Sequence, residues 1–210
     1  MRTGFFISGT DTNVGKTIVC SILVKKLDFF YWKPIQCGLS ENKETDTDIV
    51  QRLSGCRKII KETFILKESL SPNIASKREK KIIRLNDFNN FFSLKKHVII
   101  EGAGGLNVPI NEKDMVIDMI KFFDTPLILV CKTNLGTINH TLLSLEALRN
   151  KKINLYGIIF IGDKITETIK TISEFGLQIY GKKIKVIATL PILKKIDNST
   201  IIKMAKMVRI

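Results

Sequence analysis

An α/β fold, with a mostly parallel sheet covered by helices on both faces, is what this sequence predicts, and three observations predict it. Short apolar runs rich in β-branched and aromatic residues alternate with segments whose apolar residues recur at helical spacing. A glycine-bearing loop stands between the first such run and the first helical segment. The longest clean apolar runs, such as Leu127 to Cys131 and Ile158 to Ile161, are strand-sized, far below the roughly 18 to 20 residues that span a bilayer.

The elements follow in order. Phe5 to Ser8 reads as a short buried strand, and Gly9 to Gly15 as a loop. Lys16 to Leu27 reads as a helix, because Ile18, Val19, Ile22, Leu23 and Leu27 fall on roughly one face. Phe29 to Trp32 is a second strand, stopped by Pro34. Asp46 to Leu53 carries Ile49, Val50 and Leu53 at helical spacing. His97 to Ile100 is a third strand, Met115 to Phe123 a helix, and Leu127 to Cys131 a fourth strand. Asn139 to Arg149 is a helix with Leu142, Leu143, Leu145 and Leu148 apolar. Tyr156 to Ile161 is a fifth strand, Thr166 to Leu177 a helix, and Lys185 to Leu190 the last strand, closed by Pro191. Asn198 opens a final helix. Residues 57–81 are lysine-rich and weakly patterned, and read as surface loop and helix. With no internal repeat and no low-complexity linker, residues 1–210 are expected to form one domain.

Composition bounds the function. A hydrophobic share of 44% favours a folded globule over disorder. The net charge of +14 invites a nucleic-acid partner. Lysine is spread along the whole chain, however, beside abundant Ile and Asn, as an AT-rich coding bias would leave it. No aromatic–basic interleaving accompanies it, so neither nucleic acid nor membrane is expected as a partner. Phe5 to Ile7 is too short for a signal-peptide core, and a cytoplasmic location is expected. Cys20, Cys37, Cys56 and Cys131 have no zinc-like spacing and read as free thiols.

The chemistry begins at GTDTNVGKT, Gly9 to Thr17, between a strand and a helix. Backbone N–H groups of such a loop, with the helix N-terminus behind them, face phosphate oxygens. Gly15 permits close approach, Lys16 would neutralise the β- and γ-phosphates, and Thr17 would offer its hydroxyl to Mg²⁺. Five residues separate Gly9 from Gly15 where the usual phosphate loop has four, so this is a variant spacing. The fold expected is therefore a P-loop NTPase-like, three-layer one. Glu101 follows the strand from His97, where a parallel sheet presents carboxylates to ligand, and can face the same crevice as Lys16. Gly102, Ala103 and Gly104 behind it would let backbone approach the ligand. Lys33, rigidified by Pro34, ends the second strand, with Asp46 and Asp48 beyond it as further carboxylates or helix-start residues.

With these segments in hand, the chain resembles the dethiobiotin synthetases. GTDTNVGKT at 9–17, KPIQCG at 33–38, TDTDI at 45–49 and EGAGGLNVPI at 101–110 carry the resemblance, supported by NLGTINH at 134–140 and TLPIL at 189–193. The resemblance implies an ATP- and Mg²⁺-dependent closure of a ureido ring from 7,8-diaminononanoate and CO₂. It passes through a carbamate and a carbamic–phosphoric anhydride, in a homodimer. It implies Lys33 as catalytic lysine beside Lys16, and Thr17, Asp48 and Glu101 as Mg²⁺ ligands. Asp48 is favoured over Asp46 by the hydrophobic pattern that follows it. Asn13, Val14, Gly15, Lys16, Thr17 and Ile18 would wrap the phosphates, and Pro191, Ile192 and Leu193 would meet the nucleotide.

Departures from the family pattern accompany the match. Cys37 stands where a Ser or Thr usually meets the substrate, and a thiol is a weaker hydrogen-bond partner. The stretch from Lys16 to Lys33 and the C-terminus are short for the family. Ile161-Gly162-Asp163 lacks the Asn that reads adenine, which implies relaxed base selectivity. Two rival readings fit the sequence less well. An amidoligase needs a glutamine-hydrolysing part for which 210 residues leave no room. A switch ATPase usually carries an extra lysine near Gly9 to Asp11, where there is none. His140 reads as structural or capping, His97 as unremarkable, and Trp32 as packing.

Overall fold

The structure, a computed structural model, describes residues 4–193 and 195–210. Strands β1 (Gly4–Gly9), β2 (Phe30–Trp32), β4 (Ile59–Ile60), β6 (Val98–Gly105), β7 (Leu127–Lys132), β8 (Leu155–Ile161) and β9 (Val186–Leu190) form one sheet in the order β4-β2-β6-β1-β7-β8-β9. Every pairing in it is parallel. A parallel sheet must bury both faces, and the residues alternate accordingly. Phe6, Ile100 and Leu129 point to one apolar layer, and Ile7, Ile99 and Ile128 to the other.

The first layer is roofed by α3 (Pro72–Arg78), a 3-10 helix (Leu85–Ser93), α4 (Val116–Phe123), α5 (Thr137–Asn150) and α6 (Thr166–Tyr180). Its centre is aromatic. Phe123, 1% exposed, lies 4.9 Å from the Phe91 ring, 5.5 Å from Trp32, 6.1 Å from Phe88 and 6.2 Å from Phe6. The second layer is roofed by α1 (Lys16–Leu27), α2 (Asp46–Ser54) and α7 (Asn198–Met207). The basic final helix buries Ile201, Met204 and Ala205 in that layer, so its apolar stripe is spent on the fold. Among the described residues no helix is long and apolar enough to cross a membrane.

Three features depart from the expected elements. β2 ends before Pro34 as expected, but an unexpected strand β3 (Ile35–Cys37) starts just after it and pairs with β5 (Phe64–Leu66) in a separate two-stranded sheet. Within residues 57–81, read as loop and helix, lie β4, β5 and α3. The third strand, expected to end at Ile100, runs on through Glu101 to Gly105, with Gly105 opposite Gly9 of β1 after a shift in register.

Truncating the ring at the aromatic centre tests this packing. Phe123→Ala is expected to lose about 3–5 kcal/mol of unfolding free energy, from lost transfer energy plus the cavity left behind. Urea denaturation followed by circular dichroism measures it.

Candidate active site

All strands of the main sheet point the same way, so the segments after β1, β2 and β6 meet at one edge, where parallel sheets bind ligands. The loop after β1 turns through Asn13 (φ 56°) and Gly15 (φ 98°), both left-handed. At Gly15 that conformation favours glycine, and a Cβ there would also stand 2.5 Å from Cδ1 of Ile161. Helix α1 starts directly after it with no side-chain cap and no acidic residue in its first turn, which leaves its N-terminus receptive to an anion. Lys16 arches back over the loop, and its Nζ donates to the Asp11 carbonyl at 2.9 Å.

Beside this loop lies a buried ionic cluster. Glu101, 1% exposed, projects from β6 toward α1. Its Oε1 accepts hydrogen bonds from Thr17 Oγ1 at 2.9 Å and from Lys33 Nζ at 3.1 Å. Its Oε2 accepts from the Tyr31 hydroxyl at 2.8 Å. Lys33 Nζ is also ion-paired with Asp46. The Gln36 amide ties the cluster to its frame: its Oε1 accepts from the Asp46 N–H at 3.2 Å and its Nε2 donates to the Gly38 carbonyl at 2.8 Å.

This arrangement corrects one expectation. Asp46, not Asp48, faces the cluster. Asp48 is exposed and completes the capping box of α2 with Thr45 at the cap, its Oδ2 accepting from the N–H and the hydroxyl of Thr45 at 2.8 Å each. The two lie two positions apart on a helix and face different directions.

The electrostatics follow from burial and neighbours. For Lys33, burial alone pulls the ammonium toward neutrality, but Glu101 and Asp46 outweigh it and hold the group above its ordinary value. Lys33 is therefore a fixed cation. For Lys16, burial dominates and holds it below its ordinary value, against the pull of Glu101. An incoming polyphosphate would oppose that shift by favouring the charged ammonium. Burial, with Glu101 next, keeps the Tyr31 phenol and the Cys20 thiol neutral.

Other expected site residues lie around this centre. Gly104 (φ 67°) sits against the phosphate loop, a Cβ there falling 3.6 Å from Thr12 Oγ1, and Gly102 and Ala103 precede it in β6. Cys37 ends β3 half-buried, its thiol pushed up to about 11 by burial. Pro191 and Ile192 are exposed beyond β9, and Leu193 packs on the α1 layer. They lie near the end of β8, where the Gly162 N–H donates to the Leu190 carbonyl at 2.8 Å, at the same sheet edge but strands away from Glu101. Gly162 (φ 135°) has no room for a side chain, since a Cβ would fall 2.1 Å from Thr133 Oγ1. His140 is exposed and does not cap α5, whose cap position is Gly136, and His97 stacks on Phe29 at 5.0 Å.

Sequence reasoning missed Tyr31, Gln36 and Cys20. The available signal was a tyrosine two residues before Lys33 in a buried strand. Strand periodicity puts both on one side, and a buried hydroxyl needs a partner. As a donor set, the hydroxyl of Thr17 and the carboxylates of Glu101 and Asp46 are hard oxygen ligands, two of them already sharing one cation. That fits Mg²⁺, which is usually held by one or two carboxylates together with phosphates.

A protein-family profile described as an AAA domain matches residues 3–200. The ATP-dependent dethiobiotin synthetase BioD of Lawsonia intracellularis is 42% identical over 197 residues, spanning 94% of this chain and 92% of that protein. The enzyme of the same name from Afipia carboxidovorans is 43% identical over 178 residues, 84% of each chain. Among solved structures, a ParA family ATPase from Chlorobium tepidum aligns with a TM-score of 0.57 at 12% identity, over 99% of this chain and 100% of that one. Hydrogenase maturation factor HypB from Archaeoglobus fulgidus aligns with a TM-score of 0.51 at 12% identity, over 98% and 89%. At such identities the structures speak for the fold, that of P-loop NTPases, and the relatives speak for the family. The chain belongs to the ATP-dependent dethiobiotin synthetases, and with them to the cyclo-ligases.

Proposed function

We propose that this chain converts 7,8-diaminononanoate, CO₂ and ATP to dethiobiotin, ADP and phosphate, acting as a single cytoplasmic domain that pairs into a homodimer. The observation that supports the chemistry most directly is Lys33, a buried, permanently charged group beside the phosphate loop.

One amine of the substrate adds to CO₂ and loses a proton, giving a carbamate. A carbamate oxygen attacks the γ-phosphorus, the bond to the β–γ bridging oxygen breaks, and ADP leaves. The carbamic–phosphoric anhydride so formed is attacked at its carbonyl carbon by the second amine. Phosphate is expelled and the amine proton is lost as the ring closes. The carbamate and the triphosphate are both anions, so positioning and charge neutralisation carry most of the acceleration.

In this reading Asn13 to Ile18 wrap the phosphates, with Lys16 on the β- and γ-phosphates. Lys33 holds the carbamate against the γ-phosphoryl group. Thr17, Glu101 and Asp46 would hold Mg²⁺, which when bound supplies further neutralisation of the triphosphate. Gly102, Ala103 and Gly104 bring backbone to the phosphates, and Pro191 to Leu193 flank the nucleoside. Cys37 meets the diamine as a neutral thiol. With position 162 closed to any side chain and position 161 apolar, the base is read loosely, so other nucleoside triphosphates are accepted.

ADP release with Mg²⁺–ATP and bicarbonate should depend on 7,8-diaminononanoate, with dethiobiotin found by mass spectrometry. Diamine-independent release, or ATP binding without turnover, would count against the reading and favour a switch ATPase. Lys33→Ala should keep nucleotide affinity within a few-fold while turnover falls by about 10²-fold or more, as for loss of a group that stabilises transition-state charge. Asp46→Asn should lower turnover and raise the Mg²⁺ requirement. Asp48→Asn should leave turnover near wild type and cost at most about 1 kcal/mol of stability through the helix cap. Cys37 should resist iodoacetamide at pH 8, its labelling rate rising about tenfold per pH unit until about 11, because only the thiolate reacts; peptide mapping reads this.

A further inference from the structure

Tyr31 has no part in the chemistry above, yet its side chain is completely buried and its hydroxyl reaches the carboxylate at the centre of the site. The placement follows from strand register. Tyr31 of β2 lies opposite Ile99 of β6, and both side chains enter the α1 layer. Glu101 is two residues further along β6, hence on the same face and diagonal to Tyr31. The phenol thus reaches Glu101 along that face from the buried layer beneath α1, while Thr17 and Lys33 approach from the site.

The two carboxylate oxygens are divided between these directions. Oε1 takes Thr17 at 2.9 Å and Lys33 at 3.1 Å, and Oε2 takes Tyr31 at 2.8 Å. The Cys20 thiol of α1 lies beside this carboxylate, which with burial keeps it protonated. The terminal torsion of a glutamate is broad and roughly two-fold. Without a donor underneath, either oxygen can turn to the site, and the other is left buried and unsatisfied. With the phenol in place, Oε2 is anchored and Oε1 is presented.

We propose that Tyr31 is a positioning residue for the metal ligand Glu101: its hydroxyl anchors Oε2 so that Oε1 is aimed at the divalent cation. The inference rests on the metal site proposed above, but not on the identity of the diamine substrate. Partners of metal ligands typically change affinity by about 10–100-fold when removed.

Tyr31→Phe removes the hydroxyl and keeps the ring. Binding of Mn²⁺ to the protein–ADP complex, read from the free-ion paramagnetic resonance signal, should weaken by about 10-fold or more. ADP binding in EDTA should not change. Wild-type protein should show a tyrosine ultraviolet difference spectrum when Mg²⁺ is titrated into the ADP complex, and the Phe variant should lose it. Unchanged Mn²⁺ affinity in the variant overturns the proposal. So does a wild-type spectrum without tyrosine perturbation, which can be read even if the variant fails to fold. Metal binding that weakens as expected in a protein that never consumes the diamine upholds the role of Tyr31 and discards the ring-closure chemistry instead.

Discussion

A carboxylate buried at the end of a β-strand cannot stay charged without compensation, since the desolvation of one ion costs several kcal/mol. Glu101 meets that demand with an ammonium from Lys33 and hydroxyls from Thr17 and Tyr31, with the Cys20 thiol close by. These come from the first turn and body of α1, from β2 and from the segment after it. The parallel sheet places β6 between β2 and β1, so the groups that satisfy Glu101 arrive from both neighbouring strands. The strand order and the electrostatics of the site are the same constraint seen at two scales.

Lys33 completes the arrangement in a way that separates it from Lys16. Both lysines are buried beside one another, but only Lys33 has two carboxylates in contact. Its charge is secured before any ligand arrives. Lys16 rests on a neutral carbonyl, and its ammonium is held below its ordinary value by burial, so a phosphate beside it would favour the charged form. The two ammonium groups thus differ in what surrounds them: carboxylates hold one, and a backbone carbonyl that a phosphate oxygen could replace holds the other.

Much of this was legible in the chain. The strand–loop–helix around Gly9 to Thr17 announced itself, and helices α1 and α2 begin at Lys16 and Asp46 as their spacing predicts. What escaped has physical reasons. β3, β4 and β5 are two or three residues long, too short for periodicity to show. The choice between Asp46 and Asp48 turned on which carboxylate would cap the helix, and two acidic residues in one first turn look alike until Thr45 is seen to bond Asp48. Tyr31 and Gln36 act through contacts across 70 and 10 residues of sequence, so the chain shows at most that a buried tyrosine hydroxyl needs a partner, not which partner it has.

The aromatic layer carries a practical consequence. Trp32 is the sole tryptophan of the chain and is adjacent to Lys33. Its indole N–H donates to the Lys61 carbonyl at 3.1 Å, and its ring stacks on Phe91 with centroids 5.4 Å apart. The backbone that carries Lys33 is thus continuous with a single, rigidly housed fluorophore. The molecule contains its own optical probe, one residue from the reacting groups, and ligand occupancy there can be followed by emission without attaching a dye.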